Sequence, residues 1–142
     1  MSNLHEECGI FGIFSENRQN VAETVYYGLF ALQHRGQESC GIVVNDDGIF
    51  RDYKDNGLAH EVFTRHVLEN LGPGNMAIGH DRYSTTGANE RINAQPIVVN
   101  HHKGRMALAH NGNIVNAFEL RQELELQAPS STPPTIRRSS PT

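Results

Sequence analysis

Cys8 is the first residue whose setting points to chemistry. It lies seven positions after Met1 and opens the apolar run Cys8-Gly9-Ile10-Phe11-Gly12-Ile13-Phe14. A free cysteine there has two readings. It is a small buried hydrophobe, a common fate of this residue type, or it is a nucleophile whose own α-amine becomes its base once Met1 to Glu7 are removed. An α-amino group titrates at about 7.7 to 8, much nearer neutrality than a lysine. It can therefore take the thiol proton at working pH without a separate catalytic histidine. The thiolate would attack a carboxamide carbon and leave an acyl-enzyme. Such an attack builds an oxyanion, which needs donors placed in advance.

Donors of that kind are offered by His110-Asn111-Gly112-Asn113, at the end of an apolar strand candidate. The Asn111 side-chain amide and the Gly112 backbone N–H can point at one spot, because glycine lets the backbone approach closely. An ordinary Asn-Gly turn is the alternative. A third stretch is His80-Asp81-Arg82-Tyr83-Ser84-Thr85-Thr86-Gly87. Arg82, after a strand and before hydroxyl residues, suits bidentate capture of an amino acid's α-carboxylate; a surface cation beside a polar loop would look the same. In Gln33-His34-Arg35-Gly36-Gln37-Glu38-Ser39, His34 or Arg35 is either part of a site or a cation favoured at a helix end. No metal site is expected. His101 and His102 are adjacent and would point to opposite faces of a strand, and the sequence has no His-Glu-x-x-His or Cys-x-x-Cys. Cys40, at the entry to a strand, reads as core.

The elements that must position these residues alternate between strands and helices. Cys8 to Phe14 reads as a buried strand with close backbone packing at its glycines. Val21, Val25, Leu29 and Leu32 are at helical spacing behind Asn20, a candidate N-cap. Gly41 to Asn45 and Gly48 to Tyr53 flank Asp46-Asp47 as a hairpin. Val62, Phe63, His66, Val67 and Leu71 predict one helix, stopped by Gly72-Pro73-Gly74. Met76 to His80, Gln95 to Asn100 and Met106 to His110 are further strand candidates. Asn116 is expected to cap a last amphipathic helix carrying Ala117, Leu120, Leu124 and Leu126.

Composition bounds the rest. The 142 residues, 37% of them hydrophobic, suffice for one domain with a core. No apolar run approaches the roughly 20 residues of a membrane span, and the polar start is no ordinary secretory signal. Two cysteines make no disulfide framework, so a cytoplasmic setting is expected. A net charge of −4 with no basic stripe argues against a nucleic-acid partner. Residues 128–142 include eleven Pro, Ser and Thr and are expected to be disordered.

In order along the chain, four motifs resemble the class II glutamine amidotransferases, which belong to the N-terminal-nucleophile hydrolases. They are Cys8-Gly9-Ile10-Phe11-Gly12-Ile13, Leu32-Gln33-His34-Arg35-Gly36-Gln37-Glu38, Gly79-His80-Asp81-Arg82-Tyr83-Ser84-Thr85 and Ala109-His110-Asn111-Gly112-Asn113. Gln95-Pro96 and Asn116-Ala117-Phe118-Glu119-Leu120 also fit. Within the class, Leu-Gln-His-Arg-Gly-Gln-Glu is similar to the amidophosphoribosyltransferase branch, and Glu6-Glu7 before the cysteine resembles its short acidic propeptides.

The resemblance implies an α+β fold, an αββα four-layer sandwich incomplete at its C-terminus. It implies a propeptide over 1–7, a glutaminase domain over 8–127 and a tail over 128–142. Cys8 would be nucleophile and base, with Asn111 and Gly112 as the oxyanion hole. Arg82 would hold the glutamine α-carboxylate, Thr85 and His80 would shape its pocket, and Arg35 and Gly36 would lie near the cysteine. Ammonia from glutamine would pass to PRPP, giving 5-phosphoribosylamine for purine synthesis, in a homo-oligomeric full-length enzyme. No cofactor is expected in this stretch; Mg2+ and a 4Fe-4S cluster would come only with a further phosphoribosyltransferase domain.

The family's next strand, with an Asp for the substrate amino group, is replaced by the tail. A frameshift at codon 128 is one hypothesis for it, since codons exist whose neighbouring frame restores an Asp-Thr-Glu context; the gene sequence tests this. The expected consequence is a poor glutaminase. Alternatives are another class II amidotransferase or N-terminal-nucleophile amidohydrolase, or an inactive, unstable product.

Overall fold

The computed structural model describes residues 8–33, 38–83, 93–112 and 114–127. The chain divides into two units, Met1–Gly112 and Asn113–Thr142. In the first, strands β1 (Gly9–Gln19), β2 (Ser39–Asp46), β3 (Ile49–Asn56) and β4 (Gly74–Arg82) form one antiparallel sheet in the order β1-β4-β2-β3. Helices α1 (Val21–Leu32), α2 (Ala59–Val62) and α3 (Arg65–Leu71) accompany it, and β5 (Ile97–His101) pairs with β6 (Gly104–Leu108) as a separate hairpin. The fold is α+β, as expected.

Period-two alternation decides which side chains meet. Cys40, Ile42 and Val44 of β2, Ala77 of β4, and Phe11 and Ile13 of β1 join one cluster with Val21, Val25 and Leu29 of α1. The opposite face carries Ile10, Gly41, Val43, Ile78 and His80. Over part of it lies the 93–112 segment: Ala107 shares a small recess with Val43, Met76 and Ile78, and the Lys54 ammonium donates to the Pro96 carbonyl at 3.5 Å. Among the described residues of this unit the layers are therefore helix, sheet and hairpin.

The β2–β3 hairpin forms as expected, with its turn one residue later than Asp46-Asp47, at Asp47 and Gly48, both at positive φ, while Asp46 still pairs with Ile49. Cys40 is fully buried, as expected of a core cysteine. Four readings need correction. The first strand is not buried throughout; Ile10 and Phe14 are exposed because alternate residues face away from α1. Asn20 is the N-cap position of α1 but makes no side-chain cap, its amide donating to the Glu23 carboxylate at 2.7 Å instead. The single helix expected across 62–71 is two, because Phe63 leaves helical geometry and Thr64 restarts the chain, its hydroxyl accepting from the Val67 N–H. His101 and His102 do not oppose each other across a strand: His102 lies in the β5–β6 turn, its ring centroid 4.0 Å from that of His101 and tilted 44° to it.

In the second unit, α4 (Ala117–Gln127) follows Asn116, whose carbonyl accepts from the Leu120 N–H. Its Phe118, Leu124 and Leu126 are exposed. The tail expectation for 128–142 lies outside the described residues.

Candidate active site

Antiparallel pairing brings the chemistry together at one end of the sheet. Gly9 pairs with Asp81, which sets Cys8 level with the end of β4 at Arg82. The thiol is held there by main chain. The Tyr83 N–H donates to Cys8 Sγ at 3.3 Å, and the S–H in turn reaches the Tyr83 carbonyl at 3.6 Å. Cys8 is half-buried, so a small substrate can still approach it.

Asn111 is 103 residues further along the chain, yet its Nδ2 donates to the Cys8 carbonyl oxygen. A side-chain amide carries two N–H donors. One of them fixes the amide plane against Cys8. Gly112 follows at φ 141°, in the region that favours glycine, with the His110 ring beside the place a Cβ would occupy. This loop is built against Cys8, which an ordinary surface Asn-Gly turn would not be.

Two residues of β4 share the face that looks toward this loop. His80 is fully buried and its Nε2 contacts the His110 carbonyl at 3.1 Å. Burial pushes the imidazole below its ordinary range and the nearby Arg82 cation adds to this, against the opposing effect of the His110 hydrogen bond. A neutral ring meeting a carbonyl must carry its proton on Nε2. Arg82, half-buried at the strand end, is pinned through its backbone carbonyl, which accepts from the Glu38 N–H at 3.0 Å. Among the described residues its guanidinium has no acidic partner within salt-bridge distance.

The structure thus gathers Cys8, His80, Arg82, Asn111 and Gly112. Thr85, Arg35 and Gly36 lie outside the described residues. Sequence reasoning missed the Tyr83 main chain as the partner of the thiol, since residue type says nothing about backbone contacts. It also passed over the side chain of Gln95, whose Oε1 accepts from the His110 N–H at 2.7 Å. Among the described residues no group of three His, Cys, Asp or Glu side chains could hold a metal ion, and no helix is long and apolar enough to cross a membrane.

No protein-family model matches the chain. Individual proteins do. Over 120 residues the chain is 54% identical to an amidophosphoribosyltransferase of Methanocaldococcus jannaschii, covering 84% of this chain and 25% of that protein. A human amidophosphoribosyltransferase is 44% identical over 128 residues, with 85% of this chain and again 25% of the relative covered. Among solved structures, the Bacillus subtilis glutamine phosphoribosylpyrophosphate amidotransferase in complex with ADP and GMP superposes with a TM-score of 0.73 at 43% identity, covering 84% of this chain and 25% of that one. A second, described as the allosteric regulatory enzyme of purine biosynthesis, gives a TM-score of 0.76 at 44% identity and the same coverages. The chain spans about a quarter of the length of these relatives.

Proposed function

For a chain that belongs with the amidophosphoribosyltransferases over this quarter of their length, we propose that the Cys8 end of the sheet is a glutaminase site. The observation that carries the proposal is the meeting of Cys8 with Asn111, a nucleophile and an oxyanion donor brought from opposite ends of the unit.

Removal of Met1 to Glu7 frees the Cys8 α-amine, which takes the thiol proton. Arg82 receives the α-carboxylate of glutamine by a charge-assisted bidentate contact. The thiolate attacks the side-chain amide carbon, and the carbonyl oxygen gains charge opposite Asn111 Nδ2 and the Gly112 N–H. As the C–N bond breaks, the α-ammonium returns its proton and ammonia leaves. Water then hydrolyses the thioester to glutamate. Ammonia released here would pass to PRPP where a chain continues over the full length of the relatives, as the name of the Bacillus subtilis protein suggests.

The test uses a diazoketone analogue of glutamine and mass spectrometry. A chain beginning at Cys8 should gain one adduct, on Cys8, while the chain still carrying residues 1–7 gains none. Arg82→Ala should slow labelling by about a hundredfold or more, the cost of losing a charged hydrogen-bonding partner. Equal labelling with the heptapeptide in place would overturn the mechanism. Labelling unaffected by Arg82→Ala would point instead to an amide substrate without an α-carboxylate.

A further inference from the structure

Both backbone polar groups of His110 are claimed by side chains from elsewhere in the unit. Gln95 Oε1 accepts from its N–H at 2.7 Å, and His80 Nε2 donates to its carbonyl at 3.1 Å. Neither contact belongs to a strand ladder. β6 ends at Leu108, two residues earlier, so a regular sheet no longer directs the chain at His110. The next residue is Asn111, whose amide is bonded to Cys8.

Gln95 is itself fixed from below. A Cβ on Gly41, in the middle of β2, would run into the Gln95 carbonyl oxygen and carbon. The absence of a side chain at position 41 lets the 94–96 turn settle directly on the sheet, where Ala94 and Pro96 are buried. His80 pairs with Gly41 across the β2–β4 ladder, so the two clamps on His110 rise from neighbouring places in the sheet. His80 Nδ1 is buried with no hydrogen-bond partner among the described residues, which leaves the His110 carbonyl as the ring's polar anchor.

We infer that Gln95 is a positioning residue for the oxyanion loop: with His80 it holds the His110 main chain at both its N–H and its carbonyl, in the two successive peptide groups that flank the residue, and so sets where Asn111 and Gly112 stand relative to Cys8. The consequence for glutamine attack rests on the function proposed above. The grip itself does not, and it is measurable without substrate.

The experiment is amide hydrogen exchange by NMR on the full chain, with Gln95→Met and Gln95→Glu beside the unmodified protein. Methionine keeps the length and loses the acceptor; glutamate keeps an acceptor oxygen. Gln95→Met should speed exchange at the His110 amide by roughly tenfold and shift the Asn111 side-chain amide resonances, while the amides of Ile42 and Val44 keep their protection. Gln95→Glu should restore both readouts. Unchanged His110 exchange in Gln95→Met, or a rise spread equally over the sheet, would overturn the inference, as would failure of Gln95→Glu to restore it. A protein that shows the expected pattern but resists the diazoketone upholds the grip and counts against the glutaminase reading.

Discussion

The two faces of the four-stranded sheet are made by the same strands and do different work. Toward α1, residues such as Ile42, Val44 and Ala77 meet Val25 and Leu29 with almost no exposed surface. On the other face, Gly41 and His80 carry a non-ladder segment, and the polar contacts converge on Cys8. Alternation along each strand allows this division: one set of side chains packs against α1, and the other, with Val43 and His80 also buried, packs under the 93–112 segment. The packing on each face can then be altered separately, although both sit on the same backbone.

The largest expected effect is on the helix side. Leu29→Ala removes a fully buried side chain and should cost about 2–5 kcal/mol, read as a lower urea midpoint with unchanged m-value. A loss below about 0.5 kcal/mol, the range of ordinary surface changes, would break the contrast between the faces.

Gly41→Ala sharpens it from the other side. The new methyl meets the Gln95 backbone rather than the α1 core, so a cost of about 1–3 kcal/mol is expected from overpacking. His110 amide exchange should accelerate while Val44 stays protected. If the α1-side amides loosened equally, the faces would not be separable.

Acid should reach the two ends of the sheet in different pH windows. The buried His80 has a folded pKa depressed below 6.5. Its contribution to stability is therefore complete above 6.5 and is lost as pH falls from there through the folded value. At the opposite end, the Arg18 guanidinium hydrogen-bonds Asp46 at 2.9 Å and, with Arg51, holds its carboxyl at about 2 instead of 3.8. That contribution persists above 3.8 and disappears only as pH falls toward 2. Urea midpoints measured from pH 7.5 downward should decline first below 6.5, and His80→Gln should remove that first step. A single decline confined to pH below 4 would show that His80 is not held neutral by its burial.

The smallest effect concerns exposed pairs. Arg65 and Glu69 are four residues apart on α3, bonded at 2.8 Å and largely exposed. Glu69→Gln should shift the midpoint by less than the Leu29 and Gly41 changes, in line with a few tenths of a kcal/mol for such pairs. A larger loss would mean that the surface of α3 helps to hold the helix-side core.

Sequence alone determined the elements whose signal is local. The apolar spacing from Val21 to Leu32 gave α1, and Asp46-Asp47 between apolar runs gave the β2–β3 hairpin to within one residue of its turn, because side-chain periodicity and turn chemistry act within a few residues. It also singled out Cys8, Arg82, Asn111 and Gly112, since residue type limits which groups can attack, bind charge or donate. Tertiary structure decided the rest. That Asn111 reaches Cys8, that the Tyr83 backbone holds the thiol, and that Gln95 and His80 both bond to the main chain of His110 all depend on strand register and on main-chain groups. Every residue carries the same main-chain donor and acceptor, so no amino-acid type announces which of them will be used.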